Sequence, residues 1–114
     1  MLRGPQRGVL PVVNISFIYL CMIRTFGDAA TKRFYETGRS RRLPRKIVKR
    51  AAMRLKQLDA AARLEDLKLP PSNRLEALKG DRAGQHSIRI NDQWRVCFRF
   101  EDGDAFDVEI ADYH

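Results

Sequence analysis

Trp94-Arg-Val-Cys-Phe-Arg-Phe-Glu101, followed after a short gap by Asp104-Ala-Phe-Asp-Val-Glu-Ile-Ala111, decides the fold. Trp94, Val96, Phe98 and Phe100 alternate with Arg95, Cys97 and Arg99, and Phe106, Val108 and Ile110 alternate with Asp107, Glu109 and Ala111. A period of two marks strands with one apolar and one polar face. Such strands suit an antiparallel sheet covered on one side only. For Phe98 and Phe100 to share a face with Phe106 and Val108, the loop between them needs an odd number of residues. Glu101-Asp102-Gly103 is the expected three-residue hairpin, with Gly103 in the left-handed position. Upstream, Ile88 and Ile90 alternate with Ser87 and Arg89, and the same parity asks for an odd loop around Asn91-Asp92. On this register Arg95, Arg99 and Tyr113 share the uncovered face.

The cover comes from the N-terminal half. Ile47, Ala51, Leu55, Leu58 and Ala62 recur at steps of three and four, so they predict an amphipathic helix with Pro44 at its first position. Lys46, Lys49, Arg50, Arg54 and Lys56 fall on its other faces, either as an ordinary solvated surface or as one that meets RNA or a protein partner. Asp28 is a suitable N-cap for an earlier helix reaching about Thr37, with Phe34 as its main core contact. Met22-Ile-Arg-Thr-Phe26 reads as a first strand, and Leu69-Pro70-Pro71-Ser72-Asn73 ends the helical part. The predicted class is therefore α+β, with two N-terminal helices packed on one face of a small antiparallel β-sheet.

The chain has 114 residues, room for one core, and 22 Lys and Arg against 14 Asp and Glu, a net charge of +8. That balance favours a polyanionic partner. Cys21 and Cys97 are far apart and form no disulfide framework, and two histidines, His86 and His114, do not suggest a zinc site. A reducing cytoplasm fits this usage. Residues 1–21 differ from the rest: Arg3 and Arg7 precede an apolar run too short to span a bilayer and interrupted by Pro11 and Asn14. This stretch reads either as a signal peptide or as the product of a mis-set start. Without a small-residue cleavage site, the expected domain is 22–114, with 1–21 a non-native extension and a net charge of +6 remaining on the domain.

Metal-free RNA cleavage needs a 2′-hydroxyl deprotonated, the phosphate charge countered and the 5′-oxygen protonated. Arg95 suits a phosphate clamp because its planar fork pairs with two oxygens and keeps its charge. Lys79 beside Gly80 is a second cation. An imidazole has an ordinary pKa near neutrality, so His114 is the candidate general acid. Tyr113 can stack on a base or donate a proton, and Asp112 can orient a neighbour or take a proton. Lys79, Arg82, Arg89, Arg95 and Arg99 form the candidate nucleic-acid surface. Each has a plainer alternative: Arg95 and Arg99 pairing with Glu109 and Asp107 across the sheet, Lys79 as a turn residue, His114 as a frayed end. His86 falls in phase with Ile88 and reads as packed, and Cys97, despite two flanking arginines, as a small strand residue.

Met22-Ile-Arg-Thr-Phe26, Leu75-Glu-Ala-Leu-Lys-Gly-Asp81, Gln85-His-Ser-Ile-Arg-Ile-Asn91, Trp94-Arg-Val-Cys-Phe98, Asp102-Gly-Asp-Ala-Phe106 and Asp112-Tyr-His114 together resemble the HigB toxins. These are a branch of the RelE/ParE superfamily, also called plasmid maintenance system killer proteins. The resemblance covers Met22 to His114. It implies a ribosome-dependent mRNA endonuclease with no metal or organic cofactor, silenced by a HigA-type helix-turn-helix antitoxin that alone carries it to operator DNA. It also implies that Lys79 is the basic lysine, Arg95 the contact to the scissile phosphate, and Asp112, Tyr113 and His114 the functional terminal trio. Glu76 stands where some members carry a catalytic histidine, so a carboxylate would take that place. Gln85-His86 stands where an aromatic is common. Two alternatives remain at this point: a ParE-like inhibitor of gyrase, or a non-catalytic module that binds RNA or the ribosome.

Overall fold

The computed structural model describes residues 22–113; the readings on residues 1–21 and on His114 lie outside the described residues. The elements run β1 (Met22–Ile23), α1 (Ala29–Thr37), α2 (Arg45–Ala60), β2 (Glu76–Ala77), β3 (His86–Arg89), β4 (Trp94–Glu101) and β5 (Asp104–Asp112), with three short 3-10 turns between α2 and β3. Five strands form one sheet in the order β1-β5-β4-β3-β2. Ile47, Ala51, Leu55 and Leu58 of α2 and Phe34 of α1 pack with Ile88, Ile90, Val96, Phe98, Val108 and Ile110 in a single core on one face. The expected α+β layering holds. The sheet is antiparallel except at β1, which runs parallel to β5.

Both helices start near the expected places. Asp28 Oδ1 accepts from Thr31 N at 2.8 Å, and Gly38 closes α1 in the left-handed conformation at φ 75°. Pro44 is the cap residue of α2 rather than its first helical residue, and α2 stops at Ala60. Ala62 therefore leaves the predicted stripe and is exposed, while Ala61 is buried in its stead. Arg54 also departs from expectation. It is a buried cation, whose Nε donates to Arg89 O at 2.8 Å and whose Nη2 donates to Ser72 Oγ at 3.4 Å.

The β4–β5 hairpin corrects the parity argument. Glu101 pairs with Asp104 and Arg99 with Phe106, so the turn is the two-residue Asp102-Gly103, both at positive φ. An even turn alone would send Val108 and Ile110 to the wrong face. A bulge restores the phase: past Arg99 the pairing moves by one residue, to Cys97 with Glu109, and Asp107 takes up the extra residue at φ 56°. Phe106 consequently lies outside the core, under the Arg99 guanidinium at 5.2 Å, while Ala105, Val108 and Ile110 are buried. The Asn91-Asp92-Gln93 turn is odd, as parity required, with Ile90 N donating to Trp94 O at 2.9 Å.

β1 is shorter than the predicted Met22–Phe26 strand, because after Ile23 the edge of β5 is satisfied piecemeal. Arg24 N donates to Ala105 O at 2.7 Å, Asp107 N donates to Thr25 Oγ1 at 2.8 Å, and Gly27 N donates to Val108 O at 2.8 Å. Beyond Gly27 the buried hydroxyl of Thr31 accepts from Ile110 N at 3.0 Å. The start of α1 thus completes a hydrogen-bond ladder that no strand reaches. Thr31→Val keeps the shape and orphans that buried N–H, so it should lower unfolding stability by about 1–3 kcal/mol. Thr31→Ser should retain most of it; equilibrium urea unfolding of both variants checks this.

Candidate active site

The helix-free face of the sheet carries a row of four side chains: Glu76 opposite Ser87, Ser87 opposite Cys97, and Cys97 opposite Glu109. Arg95 stands in the neighbouring row, between Arg89 and Ala111. Because Ala111 is small, it leaves the space between Arg95 and the strand end open to a large neighbour. Tyr113 reaches across it, placing its hydroxyl 3.7 Å from Cys97 Sγ.

Arg95 is the most tightly held cation on this face, with a side chain only 11% exposed. Its Nε donates to Ser87 Oγ at 2.7 Å, and its Nη2 donates to Arg74 O at 2.6 Å and Ser87 O at 3.4 Å. Arg74 offers that carbonyl because it is left-handed, at φ 45°, where the 3-10 turn Pro71–Asn73 ends ahead of β2. Glu76 Oε1 lies 3.8 Å from Arg95 Nη2 and is 58% exposed, so the carboxylate is accessible while the guanidinium is fixed. The expected Arg95–Glu109 pair does not form. Glu109 accepts instead from Arg82 at 3.3 Å, and Arg82 also donates to Gln85 Oε1 at 3.1 Å. The expected Arg99–Asp107 pair does form, at 2.8 Å, with Glu101 as a second partner at 2.7 Å. Arg89 is paired with Asp92. Lys79 is exposed at the start of the Gly80–Arg82 turn.

The sequence-predicted residues are thus only partly brought together. Glu76, Arg82, Arg89, Arg95 and Tyr113 share the helix-free face. Asp112 lies opposite Trp94, in phase with the core side, and accepts from Gln93 Nε2 at 3.2 Å. His86 is half-buried on the core side with its ring stacked 6.4 Å from Phe98, as its phase with Ile88 implied. Ser87 and the Arg74 carbonyl join the site without being expected there, and Glu109 joins it as the partner of Arg82 instead of Arg95. The parity of Ser87 with Arg89 was the available signal; the Arg74 carbonyl had none.

Protonation follows from burial. Cys97 is wholly buried, and loss of solvation pushes its thiol up, outweighing the opposing pull of the Tyr113 hydroxyl and Arg82. Partial burial, then contact with Cys97, likewise raises the Tyr113 phenol. At neutral pH the pair is therefore SH and OH: Tyr113 is a donor here, and Cys97 is no nucleophile.

Comparison with known proteins identifies the family. The family described as the RelE-like toxin of type II toxin-antitoxin system HigB matches residues 24–114. This chain belongs to the HigB-like toxin family. Toxin HigB-1 of Vibrio cholerae is 40% identical over 90 residues, covering 78% of this chain and 95% of the relative. Endoribonuclease HigB of Proteus vulgaris is 36% identical over 93 residues, covering 82% of this chain and all of the relative. A solved YoeB-YefM complex from Staphylococcus aureus aligns over 82% of this chain and 97% of its own, with 23% identity and a TM-score of 0.48. The HigB-like match begins just after β1 and takes in both helices and strands β2 to β5.

In a Cys21→Ser background, folded protein at neutral pH should react with a disulfide reagent far more slowly than a free thiol does. Unfolding in guanidinium should restore fast reaction. Rapid labelling of the native chain would mean that Cys97 is an exposed thiolate.

Proposed function

We propose that this HigB-family toxin is an endoribonuclease that cuts translated mRNA on the ribosome by attack of the RNA's own 2′-hydroxyl. The observation that carries the reading is the fixed Arg95 guanidinium, held by Ser87 and the Arg74 carbonyl beside an accessible Glu76. A cation that need not reorganise as charge builds on a phosphate is what transition-state stabilisation requires. The relatedness to a protein named Endoribonuclease HigB supports the same chemistry.

In this mechanism Arg95 and Lys79 counter the charge on the scissile phosphate. Glu76 takes the proton of the 2′-hydroxyl, and the protonated Tyr113 hydroxyl donates to a phosphate oxygen. His114, assigned by resemblance, delivers the proton to the 5′-oxygen. Asp112 anchors the strand end through Gln93 and so positions Tyr113 beside it. Arg82 and Arg89 bind flanking phosphates. Arg99, already shared between two carboxylates, contributes least. Among the described residues no imidazole lies on the helix-free face, since His86 is packed beside Phe98. That scarcity of acid–base groups supports dependence on the ribosome, which would hold the RNA in line for attack. The antitoxin is a HigA-type helix-turn-helix protein, the toxin domain begins at Met22, and the site of action is the cytoplasm. Among the described residues no helix is long and apolar enough to cross a membrane.

Single-turnover cleavage of mRNA on programmed ribosomes, with 5′-end mapping, tests this. The wild-type chain should cut inside codons in frame and cut naked mRNA poorly. Glu76→Gln and His114→Ala should each lower the rate by about 10²–10⁴-fold if they move protons. Arg95→Lys, which keeps the charge but loses the fork, should fall by about 10²–10³-fold with little change in melting temperature. Equal cutting of naked and ribosome-bound mRNA would overturn ribosome dependence, and wild-type rates in Arg95→Lys would overturn its role.

A further inference from the structure

Arg74 contributes its backbone to the candidate site and leaves its side chain unused. Its carbonyl accepts from Arg95 Nη2 at 2.6 Å, which ties it to the centre of the site. Glu76, the proposed base, follows two residues later. Arg74 is nevertheless exposed, and among the described residues its side chain joins no hydrogen bond or ion pair. Its neighbours differ in this respect. Arg82 is held by Glu109, Arg89 by Asp92, and Arg99 by Asp107 and Glu101. An incoming phosphate has to displace a carboxylate from each of those three. From the Arg74 guanidinium it displaces water.

The backbone at this position is unfavourable for an arginine. With φ 45° and ψ 59° it is left-handed, a conformation that glycine, asparagine and aspartate adopt more readily. The surroundings enforce it. Arg74 N donates to Pro71 O at 3.0 Å, and Asn73 N donates to Pro70 O at 2.9 Å. Asn73 is fully buried, and its Nδ2 donates to Leu67 O at 3.1 Å and to Leu69 O at 3.3 Å. From α2, Arg54 Nη2 donates to Ser72 Oγ at 3.4 Å. Strain that is held in place by its surroundings concentrates at sites with a function. Were the carbonyl the only useful group here, glycine would aim it at Arg95 without strain. What glycine cannot supply is the guanidinium.

We propose that Arg74 is a further substrate-binding residue, whose guanidinium grips the mRNA phosphate on the 5′ side of the scissile one while its carbonyl orients Arg95. The proposal rests on the nuclease reading above and extends its binding surface by one named phosphate. Arg95 gives Nε to Ser87 Oγ and Nη2 to Arg74 O and Ser87 O, so it is committed to a single phosphate. The next phosphate of the strand needs a second cation at a fixed separation. Arg74 meets that need by construction, because the hydrogen bond that fixes Arg95 also fixes the root of the Arg74 side chain. Its planar fork matches two phosphate oxygens. The sugar between the two phosphates is the one that carries the attacking 2′-hydroxyl, and Glu76 lies two residues from Arg74.

The test uses the full chain and ribosomes programmed with an mRNA that is 2′-deoxy through the A-site codon, which binds without being cut. Arg74→Gln and Arg74→Gly both keep the carbonyl and lose the charge. Each should bind about tenfold more weakly, the loss expected of one hydrogen-bonded charge contact. On cleavable mRNA each should raise KM with a near-normal kcat, because the contact is made in ground and transition states alike. Arg74→Gly should melt no lower than wild type, since glycine takes the left-handed conformation freely. A neutral methylphosphonate is then placed in turn at each phosphate of the codon. One position should weaken wild type by a similar factor and leave Arg74→Gln unaffected, and it should be the 5′ neighbour of the mapped cut. Wild-type binding by Arg74→Gln, or equal methylphosphonate penalties in both proteins at every position, would overturn the contact and leave the nuclease reading intact. So would a fall in kcat alone, which would mean that Arg74 acts only through its carbonyl on Arg95. If wild type binds but leaves cleavable mRNA intact, the nuclease reading fails, and a penalty confined to wild type still upholds the phosphate contact.

Discussion

Strand β5 changes step at Asp107, and the geometry on both sides of the sheet depends on that one added residue. Before it, Ala105 faces the core and Phe106 faces out; after it, Val108 and Ile110 face the core and Glu109 faces out. Without the bulge, the two-residue Asp102-Gly103 turn would expose Val108 and Ile110 and bury Glu109, which the desolvation cost of an unpaired carboxylate forbids. The left-handed Asp107 also turns its N–H to Thr25 Oγ1 and its carboxylate to Arg99. The close approach continues at Gly27, where a Cβ would sit 3.0 Å from Asp107 O and 3.2 Å from Glu109 Cβ. The bulge, the glycine and the Thr31 hydroxyl are one device that joins a two-residue parallel strand and a helix start to the middle of the sheet.

The same register sets the helix-free face. Glu109 must point outward to hold Arg82, and Arg82 in turn lies beside Cys97 and Tyr113. A buried thiol at that position is no handicap. It fills the row under Tyr113 without bringing a charge near Arg95, and its high pKa keeps the local field set by the arginines. Arg95 itself is fixed by neutral groups, a hydroxyl and two carbonyls, with one solvent-exposed carboxylate at the longer distance of 3.8 Å. Neutral acceptors orient the guanidinium while leaving its charge largely uncompensated, which suits the phosphate contact proposed for it.

The layering, the helix boundaries to within a residue or two, the odd β3–β4 turn and the shared outward face of Arg95 and Tyr113 were all legible in the sequence. Period and capping chemistry are local, and they survived. What failed depended on counting through a turn. Phe106 belongs by type with Phe98 and Phe100, but one bulge residue inverts its phase, and no local pattern separates Asp107 as a bulge from Asp107 as an alternating polar residue. Arg54 reads as a surface charge because its α2 neighbours are cationic. Its buried partners, Arg89 O and Ser72, come from segments 35 and 18 residues away and cannot be inferred from the helix alone. The holding of Arg95 was half visible. Ser87 shares the parity of Arg89, whereas the Arg74 carbonyl is a backbone group aimed by a left-handed turn.

Cations in this protein obey two different rules, and stability separates them. On the sheet Arg82, Arg89 and Arg99 are matched with carboxylates and Arg95 is held mainly by neutral acceptors, which keeps a small domain from repelling itself across a rigid surface. At the α1–α2 corner Arg42 pairs with Asp28, but Arg45, Lys46, Lys49 and Arg50 of α2 join no carboxylate among the described residues, are set four apart and stand at the wrong end of the helix dipole. A chain with a single core has little stability to spare, so an arrangement that weakens α2 in two independent ways is not explained by folding. Neither does the candidate active site explain it, since that site lies on the helix-free face and the corner on the helical side. An anion brought from outside relieves both costs together, since it neutralises the repulsion and complements the dipole.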